Sequence, residues 1–182
     1  MTLDLLEAQA AQTADVPWPD RLVEILRSHG VNHMAYVPDA GHIRTIELLA
    51  ADPEVTSNVL TTEEEGIAVS FGAWLGGQRS VLLMQSSGIG NCINMLSLPA
   101  ISRTPLLILV TMRGEWHEFN PWQVPMGQAV EPTLKALGVT VVRAETEEDL
   151  LAIVDSSAGM AFDADQQIAV LISQRLLGAK KW

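Results

Sequence analysis

Residues 80–102 read SVLLMQSSGIGNCINMLSLPAIS, a stretch without one charged side chain. It is long enough for a membrane span, but Gln85, Ser86, Ser87, Asn91 and Asn94 interrupt it with polar groups that hydrocarbon cannot satisfy. A buried strand over Ser80–Gln85, a glycine turn and a helix over Asn91–Ser102 fit it better. Outward from this unit, β-rich runs recur at His33–Val37, Val55–Leu60, Leu106–Thr111, Val139–Val142 and Gln167–Ser173. Helical patterns separate them at Ile43–Ala51, Glu63–Gly76, Gln128–Leu137 and Glu147–Phe162, after a first helix over Pro19–His29 that Gly30 stops. Thr146 with Asp149 three residues on forms a near capping box, and Gly138 ends the helix before it. Such alternation predicts an α/β fold: a single doubly wound domain with a six-stranded, mainly parallel sheet and helices on both faces. The domain is expected over 19–182, with 1–18 as an N-terminal extension.

Composition narrows the function. The chain has 182 residues, 48% of them hydrophobic, which suits one well-buried core. Eleven Lys and Arg stand against 22 Asp and Glu, a formal net charge of −11, and no basic stripe exists to track phosphates, so nucleic acid is excluded. Met1–Ala14 carries Asp4 and Glu7 where a secretory signal needs a basic start and an apolar run; a cytoplasmic protein without a membrane span is expected. Cys92 is the only cysteine, which rules out an intrachain disulfide and a cysteine-based metal cluster.

Three segments follow predicted strands and should share one edge of the sheet: Pro38-Asp39-Ala40-Gly41-His42, Glu63-Glu64-Glu65-Gly66 and Ser86-Ser87-Gly88-Ile89-Gly90-Asn91. The glycine turn is not a dinucleotide fingerprint, because the third glycine would fall on Ile93 and no acidic residue follows about twenty positions later. A phosphate loop with a terminal Gly-Lys-Ser/Thr is also absent. Taken alone, the turn is either a tight strand-to-helix connection or a place where backbone approaches a ligand, with Asn91 opening the helix. The glutamate run alone suits a solvated first helical turn, where the dipole favours each negative charge by about 0.3–1 kcal/mol. Its helix is rich in small residues (Gly66, Ala68, Ser70, Gly72, Ala73, Gly76), which implies close packing against another backbone. Arg113–Gly127, with two prolines and two tryptophans, reads as a long loop at a strand's carboxyl end.

Together TTEEEGIAVSFGAWLGG, SVLLMQSSGIGNCINML and PLLILVTMRGEW with QVPMGQ resemble the alpha subunits of sulfopyruvate decarboxylases, within the thiamine-diphosphate decarboxylases and close to phosphonopyruvate decarboxylase. The likeness spans roughly 19–150. It implies the pyrimidine-binding domain of such enzymes, in which one glutamate after the second strand bonds a pyrimidine ring nitrogen and so helps generate the carbon nucleophile. The family usually places that glutamate nine residues before a helix glycine, which from Gly72 gives Glu63; the Glu65-Gly66 pair resembles phosphonopyruvate decarboxylases, and Glu64 lies between. Gly88, Gly90 and Asn91 match the turn that approaches the cofactor. Asp39 and His42 fall in a Val-Pro-Asp segment that faces the substrate. Arg113 opens the Arg-Gly-Glu loop, where a guanidinium either grips an anionic substrate bidentately or pairs with Glu115 at the surface. His29, His33 and His117 read as structural or exposed, and Trp122 as a lid or an interface anchor. The family's diphosphate-binding half carries a Gly-Asp-Gly motif that holds Mg²⁺, and this sequence has none. The resemblance therefore implies thiamine diphosphate and Mg²⁺ as cofactors, a beta subunit holding the diphosphate and metal, no metal ligand in this chain, and a hetero-oligomer. The implied reaction is decarboxylation of 3-sulfopyruvate to sulfoacetaldehyde; the alternatives are another 2-oxo acid such as phosphonopyruvate, or a non-catalytic α/β scaffold.

Overall fold

A computed structural model describes residues 16–178, so the segment read against a secretory signal lies outside the described residues. Six strands form one sheet: β1 (Val31–Tyr36), β2 (Thr56–Val59), β3 (Arg79–Gln85), β4 (Leu106–Thr111), β5 (Thr140–Ala144) and β6 (Gln167–Ile172). Their order is β2-β1-β3-β4-β6-β5 and every pairing is parallel, where the sequence predicted a mainly parallel sheet. Parallel neighbours need crossovers, and helices supply them on both faces.

The central strands show why the chain folds this way. Along β3, Val81 and Leu83 point into one core and Leu82 and Met84 into the other, all fully buried. Leu107 and Leu109 of β4 alternate with Ile108 and Val110 in the same way. The first core is closed by α1 (Trp18–Ser28), α2 (Ile43–Ala51) and α7 (Glu147–Ala164), through Leu22, Leu26, Leu49, Leu150 and Val154. The second is closed by α3 (Glu63–Leu75), the short helices α4 (Ile89–Cys92) and α5 (Ser97–Ser102), and α6 (Gln123–Ala136), through Ile67, Cys92, Val130 and Leu134. α8 (Gln174–Leu177) follows β6. Thr146 caps α7 by accepting from the Asp149 amide, and Gly30 and Gly138 stop their helices at φ 75° and 82°.

Three expectations need correction. The helix expected over Asn91–Ser102 is two short helices, because Pro99 has no amide hydrogen to continue the ladder across Met95 and Leu96. The loop expected over Arg113–Gly127 ends at Trp122: Pro125 sits in the first turn of α6, where an amide hydrogen has no helical partner anyway. At Gly66 and Gly72 of α3, no backbone of another element takes the place of the missing side chain. A Cβ on Gly66 would lie 2.3 Å from a Leu82 methyl carbon, so this glycine admits a β3 side chain, while one on Gly72 would meet nothing within 4 Å.

A polar chain pins α3 to the sheet within this apolar interior. The His33 ring contacts Asn58 Oδ1 through Nε2 and Ser80 Oγ through Nδ1, both at 2.8 Å, and Ser70 of α3 meets Ser80 at 3.1 Å. Asn58 Oδ1 only accepts, so the proton belongs on Nε2 and the Ser80 hydroxyl donates to Nδ1. Burial holds the pKa of His33 below its ordinary value, and that of the fully buried His42 likewise. The unfolded chain therefore takes up protons first as pH falls below about 6.5. The expected outcome is a urea midpoint that is flat above neutrality and declines between about pH 6.5 and 5, before the carboxylates titrate; His33→Asn should lower the midpoint overall and flatten that decline. Leu82→Ala should cost about 2–5 kcal/mol in the same assay.

Candidate active site

Strand order reverses beside β1: the chain leaves it for β2 on one side and returns to β3 on the other. The carboxyl ends of strands at such a point open a crevice, and polar side chains excluded from the two cores collect there. Asp39, just beyond β1, ties three strand ends together. Its Oδ1 accepts from Gln85 Nε2 at 3.1 Å, and its Oδ2 accepts from the Thr111 hydroxyl at 2.5 Å and the Gly41 amide at 3.2 Å. A Cβ on Gly41 would stand 2.7 Å from a Thr111 methyl carbon, so the turn closes only around glycine.

The glutamate run separates into three roles. Glu65 turns back and accepts from the Thr61 amide at 2.9 Å, a local bond at the helix start. Glu64 has one carboxylate oxygen buried with no donor to meet it. Glu63 reaches across to the glycine turn: its Oε2 accepts from Asn91 Nδ2 at 2.7 Å, and a Cβ on Gly88 would lie 2.3 Å from its Cγ and 2.7 Å from its Oε1. Gly88 has φ −67°, a value open to any residue, so glycine is needed there for room and not for backbone freedom. Asn91 does not open a helix as expected but lies within α4, which follows a single 3-10 turn over Ser86–Gly88. Gly90 faces α6, where a Cβ would come 3.1 Å from Met126 Sδ.

The structure thus brings Glu63, Gly88 and Asn91 into contact and leaves Glu63 Oε1 without a hydrogen-bond partner among the described residues. The Ser86 hydroxyl accepts from the Arg113 amide at 3.1 Å and so joins the glycine turn to the next loop. Beside that loop, Asp39, Gly41, Thr111, Arg113, Gln174 and Leu177 line a cavity of about 220 Å³.

Of the two other residues expected near the substrate, one lines this cavity and one does not. His42 is fully buried at the start of α2, with Nε2 on the Leu109 carbonyl at 3.0 Å and Nδ1 unpartnered, so it does not line the cavity. Arg113 lines it but is paired with Glu118, not Glu115, which pairs instead with Arg143. Glu118 accepts from Arg113 Nε at 2.6 Å, from Arg113 Nη2, from the Gly114 and Asn120 amides, and from Gln174 Nε2. The Arg113 guanidinium, with those further donors, holds the Glu118 carboxyl down to about 2. Gln174, 3% exposed, also accepts from the Glu115 and Trp116 amides and so fixes the loop's position. Thr111, Glu118 and Gln174 were missed because nothing local marks them; their partners lie on other elements or beyond the residues that carry the motif. Trp122 is exposed.

No protein-family model matches the chain. A sulfopyruvate decarboxylase subunit alpha from Methanococcus maripaludis is 32% identical over 144 residues, which cover 79% of this chain and 86% of that one. The chain belongs to the sulfopyruvate decarboxylase alpha-subunit family. A sulfopyruvate decarboxylase from Methanosarcina acetivorans is 31% identical, and there 89% of this chain matches 41% of a longer polypeptide. A phosphonopyruvate decarboxylase from Streptomyces viridochromogenes is 38% identical over 94 residues, 51% of this chain and 24% of that one. Among solved structures, a 2-oxoglutarate:ferredoxin oxidoreductase from Magnetococcus marinus superposes with a TM-score of 0.72 at 16% identity, over 89% of this chain and 29% of that one. A Mycobacterium smegmatis protein described as a thiamin diphosphate-dependent enzyme superposes with a TM-score of 0.65 at 18% identity, over 89% of this chain and 31% of that one. The fold is that of these proteins. Among the described residues of this family member, no helix is long and apolar enough to cross a membrane.

α6 docks on the loop base with no space to spare: a Cβ on Gly127 would fall 2.0 Å from the Arg113 carbonyl oxygen. Gly127→Ala is expected to cost about 1–3 kcal/mol in thermal or urea unfolding through overpacking against backbone.

Proposed function

We propose that the chain is the alpha subunit of a two-chain, thiamine-diphosphate-dependent decarboxylase that converts 3-sulfopyruvate to sulfoacetaldehyde and CO₂, with Glu63 as the carboxylate that meets the aminopyrimidine ring. The observation that carries this reading is the Glu63 carboxylate laid across Gly88 and held by Asn91, on a chain of this family. Its Oε1 is free to accept a ring N–H, and the space a Cβ would fill at Gly88 is the space the carboxylate uses. These residues fit the pyrimidine half of the cofactor. The chemistry that thiamine diphosphate supplies when bound is a carbon nucleophile and a sink for the electron pair left by departing CO₂.

The chain's own residues have definable tasks. Asn91 fixes the Glu63 carboxylate against rotation, so the proton it shares with the ring stays on one line. Asp39, with Gln85 and Thr111, fixes the wall of the cavity in which a small oxo acid would lie, and the buried Ser86 and Arg113 backbone join that wall to the Glu63 side. The diphosphate and Mg²⁺ are assigned to a beta subunit: the sequence lacks Gly-Asp-Gly, the curated relatives include chains named subunit alpha, and the Methanosarcina acetivorans chain extends well beyond the matched part. The protein is proposed to work in the cytoplasm as a hetero-oligomer, its domain running over 19–182.

The test is CO₂ release from 2-oxo acids by the chain mixed with a beta subunit, thiamine diphosphate and Mg²⁺. Glu63→Gln should lower turnover about 10²–10⁴-fold while Glu65→Gln changes it less than about threefold. Near-normal turnover in Glu63→Gln, with loss in Glu64→Gln or Glu65→Gln, would move the role to that neighbour. Gly88→Ala should displace the Glu63 carboxylate and reduce turnover much more than it reduces melting temperature. Full activity of the chain without a second subunit would disprove the two-chain arrangement.

A further inference from the structure

Resting on that reading, the charge of the cavity carries an inference about which acid it prefers. Its volume, about 220 Å³, is worth about seven waters at ~30 Å³ each, room for a three-carbon oxo acid. Arg113 is its only cationic lining residue among the described residues. That cation is not free: both Nε and Nη2 are held by Glu118, whose side chain is 3% exposed and accepts from five donors. A carboxylate so buried and so fully bonded does not leave Arg113 to make way for a substrate, because departure would strand both charges away from water. Asp39, which also lines the cavity, adds a negative charge that accepts from three donors. Outside the cavity, Glu115 pairs with Arg143, and Arg143 also with Glu145. Among the described residues, the formal charge at the cavity is therefore Asp39 (−1) with Arg113 (+1) and Glu118 (−1), a net −1.

We propose that Glu118 is a specificity-determining residue that acts through Arg113: by cancelling the guanidinium charge and occupying its Nε and one Nη2 hydrogen, it leaves a site that accepts an acid with a singly charged tail and disfavours a doubly charged one. A sulfonate keeps one charge at all accessible pH values. A phosphonate gains a second near neutrality, as a phosphate monoester does at about pH 6. In a cavity of net −1 a second charge on the substrate meets more repulsion than the first, and this repulsion is less screened than in bulk water. Raising the local charge by one should then matter more to the dianion than to the monoanion.

The experiment uses the wild-type alpha chain with its beta subunit, thiamine diphosphate and Mg²⁺, and measures kcat/KM for sulfopyruvate and phosphonopyruvate from pH 6 to 8. The preference for sulfopyruvate should grow as pH rises through the second ionisation of the phosphonate. In Glu118→Gln, with folding checked by thermal melting, the preference at pH 8 should fall about tenfold, mainly through KM for phosphonopyruvate, and its pH dependence should flatten. The charge-conserving double variant Arg113→Gln/Glu118→Gln should lower kcat/KM for both acids and keep their ratio within about threefold of wild type, which loss of structure alone would not predict. The inference is overturned if the wild-type preference does not change with pH, if folded Glu118→Gln keeps the wild-type ratio, or if the double variant shifts the ratio as far as the single one. A wild-type complex that decarboxylates neither acid would instead refute the proposed function, and the inference with it.

Discussion

Central strands that are apolar on both faces leave a parallel sheet few places to keep polar groups. In β3 and β4 every interior position is committed to one core or the other, and burying an unpaired polar side chain there would cost on the order of 1–3 kcal/mol or more. Polar groups therefore gather where the strands end. The His33–Ser80–Ser70 chain is the exception within the layers, and it is tolerated because each member has a partner. At the carboxyl edge the same rule makes Asp39 useful: one carboxylate receives donors from the ends of β3 and β4 and from its own turn, so three loops that would otherwise be independent are set in a fixed relation.

Space at that edge is allotted by missing side chains more than by backbone flexibility. Gly41, Gly66, Gly88 and Gly127 all have no positive φ, yet a Cβ at each would lie within 3 Å of another group. Gly88 yields its place to the Glu63 carboxylate, and Gly127 to the Arg113 carbonyl. A sequence reader meets these residues as turn or helix-breaking signals, which explains one kind of error. The Gly-rich turn was legible as a place of close approach, but α6 was not legible in its first turn, because Pro125 and Gly127 look like loop residues unless the packing partner is known. Pro99 broke a helix that periodicity alone would continue.

What the sequence disclosed best was short in range. The six strands were readable from apolar runs, and the gathering of the three motif segments on one sheet edge from their place after predicted strands. Long-range polar matching was not readable. Arg113 was expected to meet a substrate or Glu115; its partner Glu118 is five residues away, but the geometry that selects it depends on Gln174, whose side chain comes from beyond β6 and orders the loop by three hydrogen bonds, two to its backbone and one to Glu118. His42 shows the converse, since a histidine beside a site motif turns out to satisfy a β4 carbonyl in the core.

On the proposed reading this chain must face both a cofactor whose far end is a diphosphate and a substrate that is an anion at each end. Its own edge is ill suited to hold either, since among the described residues Asp39, Glu63 and Glu64 have no salt bridge while Arg113 is consumed by Glu118. A negative surface favours the electron-poor ring system that Glu63 would hold and opposes phosphate. On the proposed reading, a second polypeptide that held the metal and the diphosphate would separate two electrostatic demands that one sheet edge meets poorly, and the charges would balance at the interface between the two chains.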